Sequence, residues 1–342
     1  MDPTTPPIPS TIRSLLQPDP LKPEITLKTT PPPTPNPSSA TEHLIRVHAT
    51  SPCAGELTWP AWNPDLFSAE IVPCYDLSGT VIQAPANSPF PRGTPVWGRT
   101  NVNHAGNARE YTVAHTYELS RRPASVDEIS AASVPLSAET AVQALFTRGG
   151  LAGLGEGEEA AVGRERNKGK KVLITAASGG VGVWLLQLAR EAGVGGIVAV
   201  CGSGNVGFVR ELGATEVIDY TKTSVKEWAE AAGEAGKVDL VVDCKGGESL
   251  AQCWAAVKDG GVLLSICEPP EGRKPGDCVV KDVRNEFFIM EPRGDDLLEV
   301  GRLFDEGKVK TVVDSVWKLE EYTQAFEKLD KGHSRGKILL TL

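Results

Sequence analysis

The run Lys171–Gly182, Lys-Val-Leu-Ile-Thr-Ala-Ala-Ser-Gly-Gly-Val-Gly, constrains the fold of this chain more than any other stretch. A β-branched apolar segment stops at small residues, and an apolar helical pattern (Val183, Leu185, Leu186, Leu188, Ala189) begins directly after it. Strand, tight turn and helix in that order form the setting in which a Gly-rich loop cradles a pyrophosphate. Ala177-x-Gly179-x-x-Gly182 is that fingerprint with alanine in place of its first glycine. Gly179 lets the backbone come close to the phosphates, and Gly182 lets the helix pack tightly on the strand. Ser178, Gly180 and Val181 lead into the helix N-terminus, whose N–H groups and partial positive charge attract an anion. A tight βα turn in any α/β protein also favours glycine, so the neighbouring segments decide between the two readings.

Those segments favour nucleotide binding. Gly196–Cys201, Val238–Cys244 and Gly261–Ile266 read as further buried strands, separated by helical patterns that include Val206–Leu212 and Val225–Ala232. Apolar strands alternating with helices predict a parallel sheet covered on both faces. Ligands of such sheets bind at the carboxyl ends of the strands.

The end of the second strand addresses which dinucleotide is bound. An NAD-selective site carries Asp or Glu there for the ribose hydroxyls. Here the strand ends in Cys201-Gly202-Ser203-Gly204-Asn205, with no carboxylate until Glu211. A site with Ser203 and Asn205 and no opposing acid tolerates a 2′-phosphate, so NADPH is expected. Arg210 and Lys222 are the nearest cations in sequence.

At 342 residues the chain is long enough for two domains with sizeable cores. A net charge of −9 argues against nonspecific nucleic-acid binding, and no apolar stretch approaches the roughly 20 residues of a membrane span. Met1–Ser10 is rich in Pro and Thr without the apolar core of a secretory signal, which makes a cytoplasmic protein the expectation. The seven cysteines are scattered and form no C-x-x-C pair, so neither a disulfide framework nor a structural zinc is expected. Cys201, Cys244 and Cys267 read as small apolar side chains at strand ends.

Residues 1–40 hold many of the prolines, with short strand-like pieces at Ile12–Leu16 and Ile25–Leu27. Residues 43–118 read as β-rich, with His43–Ala49, Ser78–Gln83, Thr94–Trp97 and Glu110–Val113 as strands. Ala131–Phe146 reads as helical with an interruption at Pro135, and the Gly/Glu-rich residues 151–169 read as an exposed surface loop. Asp295–Glu306 and Leu319–Leu329 are amphipathic helices, and Lys337–Leu342 is a final strand. The expected boundaries are a β-rich domain over 1–140, a nucleotide-binding domain over 141–290, and a return over 291–342 that completes the first.

That order resembles the medium-chain dehydrogenase/reductase superfamily, and the likeness runs from about residue 20 to the end. Pro73-Cys74-Tyr75-Asp76-Leu77-Ser78-Gly79-Thr80-Val81 is similar to the family's P-G-x-D-x-x-G-x-V segment. Gly93–Gly98 resembles G-D-x-V-x-G, Gly106–Tyr111 resembles G-x-x-A-E-Y, and Ala131–Leu136 with Thr140-Ala141 resembles A-A-x-x-P-L…T-A. Ala176–Gly182, Leu212-Gly213-Ala214, Val217-Ile218-Asp219-Tyr220, Ala325-Phe326 and Arg335-Gly336-Lys337 continue the series. The likeness is strongest to the quinone oxidoreductase branch, especially its fungal NADPH-dependent members. It implies an α/β fold in which a GroES-like β-rich domain accompanies a doubly wound Rossmann sheet.

The resemblance also implies that zinc is absent. Zinc alcohol dehydrogenases carry Gly-His-Glu where this chain has Cys74-Tyr75-Asp76, and their second cysteine ligand falls at Leu136. The segment between Asn87 and Glu110, where their four-cysteine lobe would lie, has no cysteine. Zinc-free members send the hydride of NADPH to a quinone, or to the β-carbon of an enone or enal. The developing enolate then needs a donor or a positive field, and its α-carbon needs a proton. Tyr75 offers a donor, with packing inside the β-rich domain as its other reading; Arg109 offers a positive field, with an ion pair as its other reading. The family's N-P-x-D motif is replaced by Thr50-Ser51-Pro52-Cys53-Ala54-Gly55-Glu56, so no role carries over to those residues. Trp59, Trp62 and Trp97 either line an aromatic substrate cleft or pack in the core.

By the same resemblance, Cys244 to Gly246, Ser265 and Ile266 flank the dinucleotide, and Phe287-Phe288-Ile289 lies beside the nicotinamide with Thr140 near its carboxamide. Tyr220 joins this set through its motif, while Gly204 stands where close relatives carry an arginine for the 2′-phosphate. Lys337 either reaches the phosphates or is an exposed strand lysine. The expected function is a zinc-independent NADPH-dependent reduction of a small quinone or enone, with a homodimer common among similar proteins. Two alternatives stay open: a tailoring or trans-acting enoyl reductase of a secondary-metabolite pathway, and a non-catalytic NADPH-binding sensor or scaffold.

Overall fold

The computed structural model describes residues 8–342, so most of Met1–Ser10 and the front of the Pro-rich segment lie outside the described residues. The chain divides into two compact units: residues up to Leu136 together with Pro292–Leu342, and Ser137–Glu291. The first unit begins with an antiparallel ribbon of β1 (Ile12–Leu16) and β2 (Thr26–Thr30). There follow β3 (Glu42–Thr50), a short helix α1 (Trp59–Trp62), β4 (Asp76–Gln83), β5 (Pro95–Arg99), β6 (Tyr111–His115) and β7 (Leu119–Arg121). Val47, Leu77, Val81 and Val96 from three of these strands bury their side chains together, as half-buried antiparallel sheets require.

Helix α2 (Pro135–Val142) leads into the second unit. Pro135 was expected to interrupt a longer helix. The stretch does break there: a 3₁₀ turn covers Ser130–Ser133, and Pro135 is the first residue of the α-helix that follows, where its missing N–H costs no hydrogen bond. Residues 151–169 correct the expectation of a surface loop, because Gly157–Asn167 is a helix, α3. Its core of Ala160, Ala161, Arg164 and Glu165 has good helix formers; Glu158 and Glu159 in the first turn and Arg164 and Arg166 in the last complement its dipole.

The second unit is a parallel sheet built from β8 (Lys171–Ile174), α4 (Gly180–Glu191), β9 (Gly196–Cys201), α5 (Val206–Glu211), β10 (Glu216–Asp219), α6 (Val225–Ala232), β11 (Val238–Asp243), α7 (Gly247–Ala256), β12 (Val257–Ser265) and β13 (Arg284–Phe287). The strand order β10-β9-β8-β11-β12-β13 reverses direction of winding at β8, the doubly wound arrangement expected for this block. Leu173, Val198, Val241 and Leu263 from four adjacent strands are fully buried, which explains why each strand reads as a continuous apolar run. Strand β12 starts four residues earlier than the Gly261 start read from the sequence.

After Pro292 the chain returns to the first unit with α8 (Gly294–Asp305), β14 (Val313–Lys318), α9 (Tyr322–Asp330) and β15 (Lys337–Thr341). Among the described residues the larger sheet of this unit runs β14-β15-β3-β4-β5-β7, with β6 paired to β3. Strand β15 is antiparallel to β3 through Leu340 opposite Thr50, so the C-terminal strand is an integral part of that sheet. No helix among the described residues is long and apolar enough to cross a membrane.

Candidate active site

In the second unit the Gly-rich loop joins β8 to α4. Ala176 takes a left-handed conformation (φ 46°), and the Gly179 N–H closes the turn on the Ala176 carbonyl at 2.9 Å. Val183 donates the first helical bond to Gly179 O, which leaves the N–H groups of Gly180, Val181 and Gly182 ahead of it. An anion at this helix end therefore meets these three donors rather than the N–H of Gly179. A Cβ on Gly182 would come within 2.4 Å of Ala176 O and 2.6 Å of Ala177 Cα, so only glycine allows α4 this close to β8. A Cβ on Gly179 would lie 3.2 Å from Ala176 O, a tighter approach than most.

At the end of β9, Asn205 Nδ2 donates to Ser178 Oγ (3.1 Å) and ties the second strand's loop to the first. Ser203 donates to Asp219 Oδ2, and Thr221 donates to Asp219 Oδ1 (2.7 Å). Lys222 Nζ lies 3.1 Å from the same carboxylate. The Ser203 and Thr221 hydroxyls hold the Asp219 carboxyl well below the usual range. The strand end that is free of acid in sequence is thus beside an acid in space, because β10 pairs in register with β9 and sets Asp219 opposite Cys201. Tyr220 is exposed, with its hydroxyl against Gly202.

The ends of β8, β11 and β12 are joined by one buried carboxylate, Asp243. Its Oδ1 accepts from Thr175 Oγ1 (2.7 Å) and Lys245 N (3.2 Å); its Oδ2 accepts from Ser265 Oγ (2.9 Å) and Gly246 N (2.9 Å). Thr175 Oγ1 in turn accepts from Cys244 N (2.8 Å). With four donors on its two oxygens, the carboxylate is compensated for burial. The network fixes the backbone of Cys244, Gly246 and Ser265, and Ile266 N donates to Asp243 O (3.1 Å). Burial pushes the Cys244 thiol far up, so it acts as an apolar side chain. Phe287 ends β13 opposite Ser265, Phe288 is buried beneath the Arg148 guanidinium 4.8 Å from its ring, and Ile289 is exposed. Thr140 is buried on α2.

In the first unit, Tyr75 is 3% exposed, with the Trp59 ring stacked 6.3 Å from it and the Arg99 guanidinium 5.7 Å away on its ring. Burial pushes its phenol up, so the hydroxyl is a neutral donor across the working pH range. Its carbonyl accepts from Thr100 N and Asn107 Nδ2, both at 2.9 Å, which fixes the backbone beside the left-handed Cys74 (φ 68°). Arg109 takes its ion-pair reading: Nη1 lies 3.3 Å from Glu70 Oε2, and Nη2 donates to Thr112 Oγ1. Burial lowers this guanidinium to about 10. Trp97 is a core residue, fully buried against Phe304 at 5.8 Å, whereas Trp62 is exposed.

Lys337 fits neither of its two readings. It is buried, and its ammonium lies 3.1 Å from Asp76 Oδ2 and donates to Pro52 O (3.2 Å). The inward register of β15 points it at a carboxylate instead of at solvent or a phosphate. Asp76 Oδ1 accepts from Leu136 N at 2.7 Å, so the carboxylate is held on both sides. Burial lowers the ammonium's affinity for its proton, but Asp76, Cys53 and Glu56 together hold it above its ordinary value. Glu56 and Cys74 are buried in the same cluster, with Cys74 Sγ donating to Glu56 Oε1 at 3.6 Å. Among the described residues no three His, Cys, Asp or Glu side chains converge to hold a metal ion.

Asp243, Asp219 and the Glu56–Lys337 cluster were not singled out from sequence. Asp243 carried a usable signal, since a carboxylate ending a strand buried on both faces must be satisfied by nearby donors. Asp219 carried none, and Lys337 was read as a phosphate contact or a surface lysine, because strand register decides their neighbours.

Known proteins resemble the whole chain. The family described as zinc-binding dehydrogenase matches residues 212–340. A probable zinc-binding oxidoreductase, mitochondrial, of Arthroderma benhamiae is 48% identical, with 97% of each chain covered. The chloroplast envelope quinone oxidoreductase homolog of Arabidopsis thaliana is 32% identical, with 79% of each chain covered. Among solved structures, the quinone oxidoreductase of Coxiella burnetii matches with a TM-score of 0.80 at 25% identity, over 97% of this chain and 99% of that one.

Proposed function

The chain belongs to the medium-chain dehydrogenase/reductase superfamily, in its zinc-binding dehydrogenase family and among quinone oxidoreductase homologues, and from that premise we propose a zinc-independent, NADPH-dependent reductase of quinones or of the C=C bond of α,β-unsaturated carbonyls. It is an oxidoreductase of the quinone oxidoreductase type, which uses a nicotinamide cofactor and a small-molecule substrate.

The observation that carries the zinc-free reading is what fills the positions of the zinc ligands. Tyr75 stands in one and Leu136 in another, and the Leu136 N–H serves the Asp76 carboxylate whose other oxygen holds Lys337. An ammonium already neutralises the acid, and burial keeps the Cys74 thiol protonated, so these groups do not make a zinc donor set.

The dinucleotide, when bound, supplies a hydride. The loop fits its pyrophosphate: Gly179 keeps the approach open, and Gly180, Val181 and Gly182 present N–H groups to it. The strand ends fixed by Asp243 hold Cys244, Ser265 and Ile266 in position for the dinucleotide's length, with Phe287, Phe288, Ile289 and Thr140 assigned to the nicotinamide end. In the first unit, Tyr75 is the donor to the carbonyl oxygen on which negative charge develops, and the nearby Arg99 guanidinium favours that charge. Ser203, Asn205 and Tyr220 support NADPH at the far end. NADH is a second reading, favoured by the Asp219 carboxylate beside Ser203.

The test is oxidation of NADPH and NADH over a panel of quinones, enones and enals, with chelated protein. Turnover with NADPH in chelator is expected; micromolar cofactor binding with no turnover would turn the reading into that of a sensor or scaffold. Residence in the cytosol is also proposed, to be checked by fractionation against the mitochondrial address in the name of the Arthroderma benhamiae relative.

A further inference from the structure

The β-rich unit buries an acid for which the proposed function leaves no role. Glu56 is 3% exposed, its carboxyl takes the weak Cys74 thiol on Oε1 at 3.6 Å and a backbone contact from Cys53, and its Oε2 has no hydrogen-bond partner. The segments carrying Glu56 and Tyr75 touch at two points, and Glu56 lies close enough to act electrostatically on the Tyr75 hydroxyl. Cys74, which donates to Glu56, precedes Tyr75 in sequence, and Trp59, one turn after Glu56, stacks on the Tyr75 ring. We propose that Glu56 is the proton reservoir of the reduction, the buried acid that resupplies the proton consumed beside Tyr75. This rests on the reductase reading given above.

The charged and titratable groups facing Glu56 are Lys337 from β15, Asp76 and Cys74 from the segment entering β4, and Cys53 from its own loop; Arg99 faces Tyr75. Asp76 and Lys337 satisfy each other, and burial keeps both thiols protonated. Glu56 is therefore the group in this cluster free to change its charge near neutrality. Burial pushes its carboxyl up to about 8, so it carries a proton where an ordinary glutamate does not. A thiol cannot take this role, because Cys53 is pushed up to about 11.

Reduction of a C=C bond by hydride leaves an enolate one proton short. The new bond forms between the enolate oxygen, or the hydroquinone oxygen, and a proton relayed through the Tyr75 hydroxyl, and the enol so formed becomes the saturated carbonyl by proton exchange with water. The Tyr75 O–H bond that breaks is remade as the Glu56 O–H bond breaks, and its electron pair stays on the carboxylate. That carboxylate faces the Lys337 ammonium and regains its proton from water. Glu56 acts through Tyr75 and is a positioning residue for the proton, not a contact to substrate.

The decisive variant is Glu56→Gln, whose carboxamide keeps the shape and the acceptor for Cys74 but holds no transferable proton. We expect NADPH affinity, read by cofactor fluorescence, to stay within about twofold, kcat to fall roughly 100-fold, and the alkaline limb of the kcat–pH profile near 8 to vanish. Infrared titration of the cofactor-free protein should show a protonated carboxyl band that is lost between about pH 6 and 9 in the wild type and is absent from the variant. Wild-type kcat in Glu56→Gln, or no carboxyl titrating in that window, overturns the assignment. Should the variant not fold, the wild-type infrared titration still decides. A wild type that reduces no quinone or enone sinks the reductase reading itself, and with it this assignment.

Discussion

The two units keep their chemistry in different parts of the chain. In the sheet unit the site is made of backbone: a turn and a helix end set by Gly182, which has no room for a Cβ, and strand ends held by Asp243. In the β-rich unit it is made of side chains gathered from distant segments, with Glu56, Cys74, Asp76 and Lys337 converging from three parts of the sequence. Backbone sites follow from local spacing and tolerate side-chain change, whereas side-chain clusters depend on register and charge compensation. The difference separates mutations that remove binding from mutations that remove stability or proton supply.

The largest effect is expected in the side-chain cluster. Lys337→Met leaves Asp76 buried without its cation, and chemical denaturation should show a loss of about 3–5 kcal/mol. A loss below about 1 kcal/mol would mean the pair is solvated and the contrast between units is overstated.

Its counterpart in the sheet unit is Gly179→Val. The branched side chain fills the loop's approach while its Cβ meets only Ala176 O, so NADPH affinity should fall roughly 100-fold, about 2.7 kcal/mol, with the fold intact by circular dichroism. Unchanged affinity would show that the loop is no more than a tight turn.

An effect spread over several pH units sharpens the cluster's electrostatics. The folded-state value of Glu56 is raised above its unfolded one, so its contribution is fully present below about 4.5 and is lost as pH rises through about 8. Wild-type stability should therefore decline relative to Glu56→Gln across that window, by at most about 1.4 kcal/mol per pH unit. Parallel stability curves for the two proteins would contradict a buried neutral Glu56.

The smallest effect probes a charged side chain beside the backbone site. Asp219→Asn removes a partly covered charge beside Ser203, and the ratio of NADPH to NADH affinity should rise roughly fivefold. An unchanged ratio would mean the acid faces away from the ribose.

What was legible in the sequence follows the same division. Strands β8, β9 and β11 and the loop before α4 could be read because a parallel strand buried on both faces is a continuous apolar run, and because glycine reports a close approach directly. Helix α3 was missed since its flanking glycines outweighed the Ala and Arg between them. Lys337 was misjudged because one residue of register separates an exposed strand lysine from one facing a buried acid. The acid beside Ser203 was hidden for a related reason: it belongs to the next strand, and pairing of β10 with β9 brings it there.

The most direct measurement of the whole account is label transfer from NADPH deuterated at its hydride position to an enone, using protein stripped of metal by a chelator. The expected product carries a single deuterium at the β-carbon and forms at a rate that added zinc does not change. No label in the product, or transfer that returns only when zinc is restored, would contradict zinc-free hydride transfer.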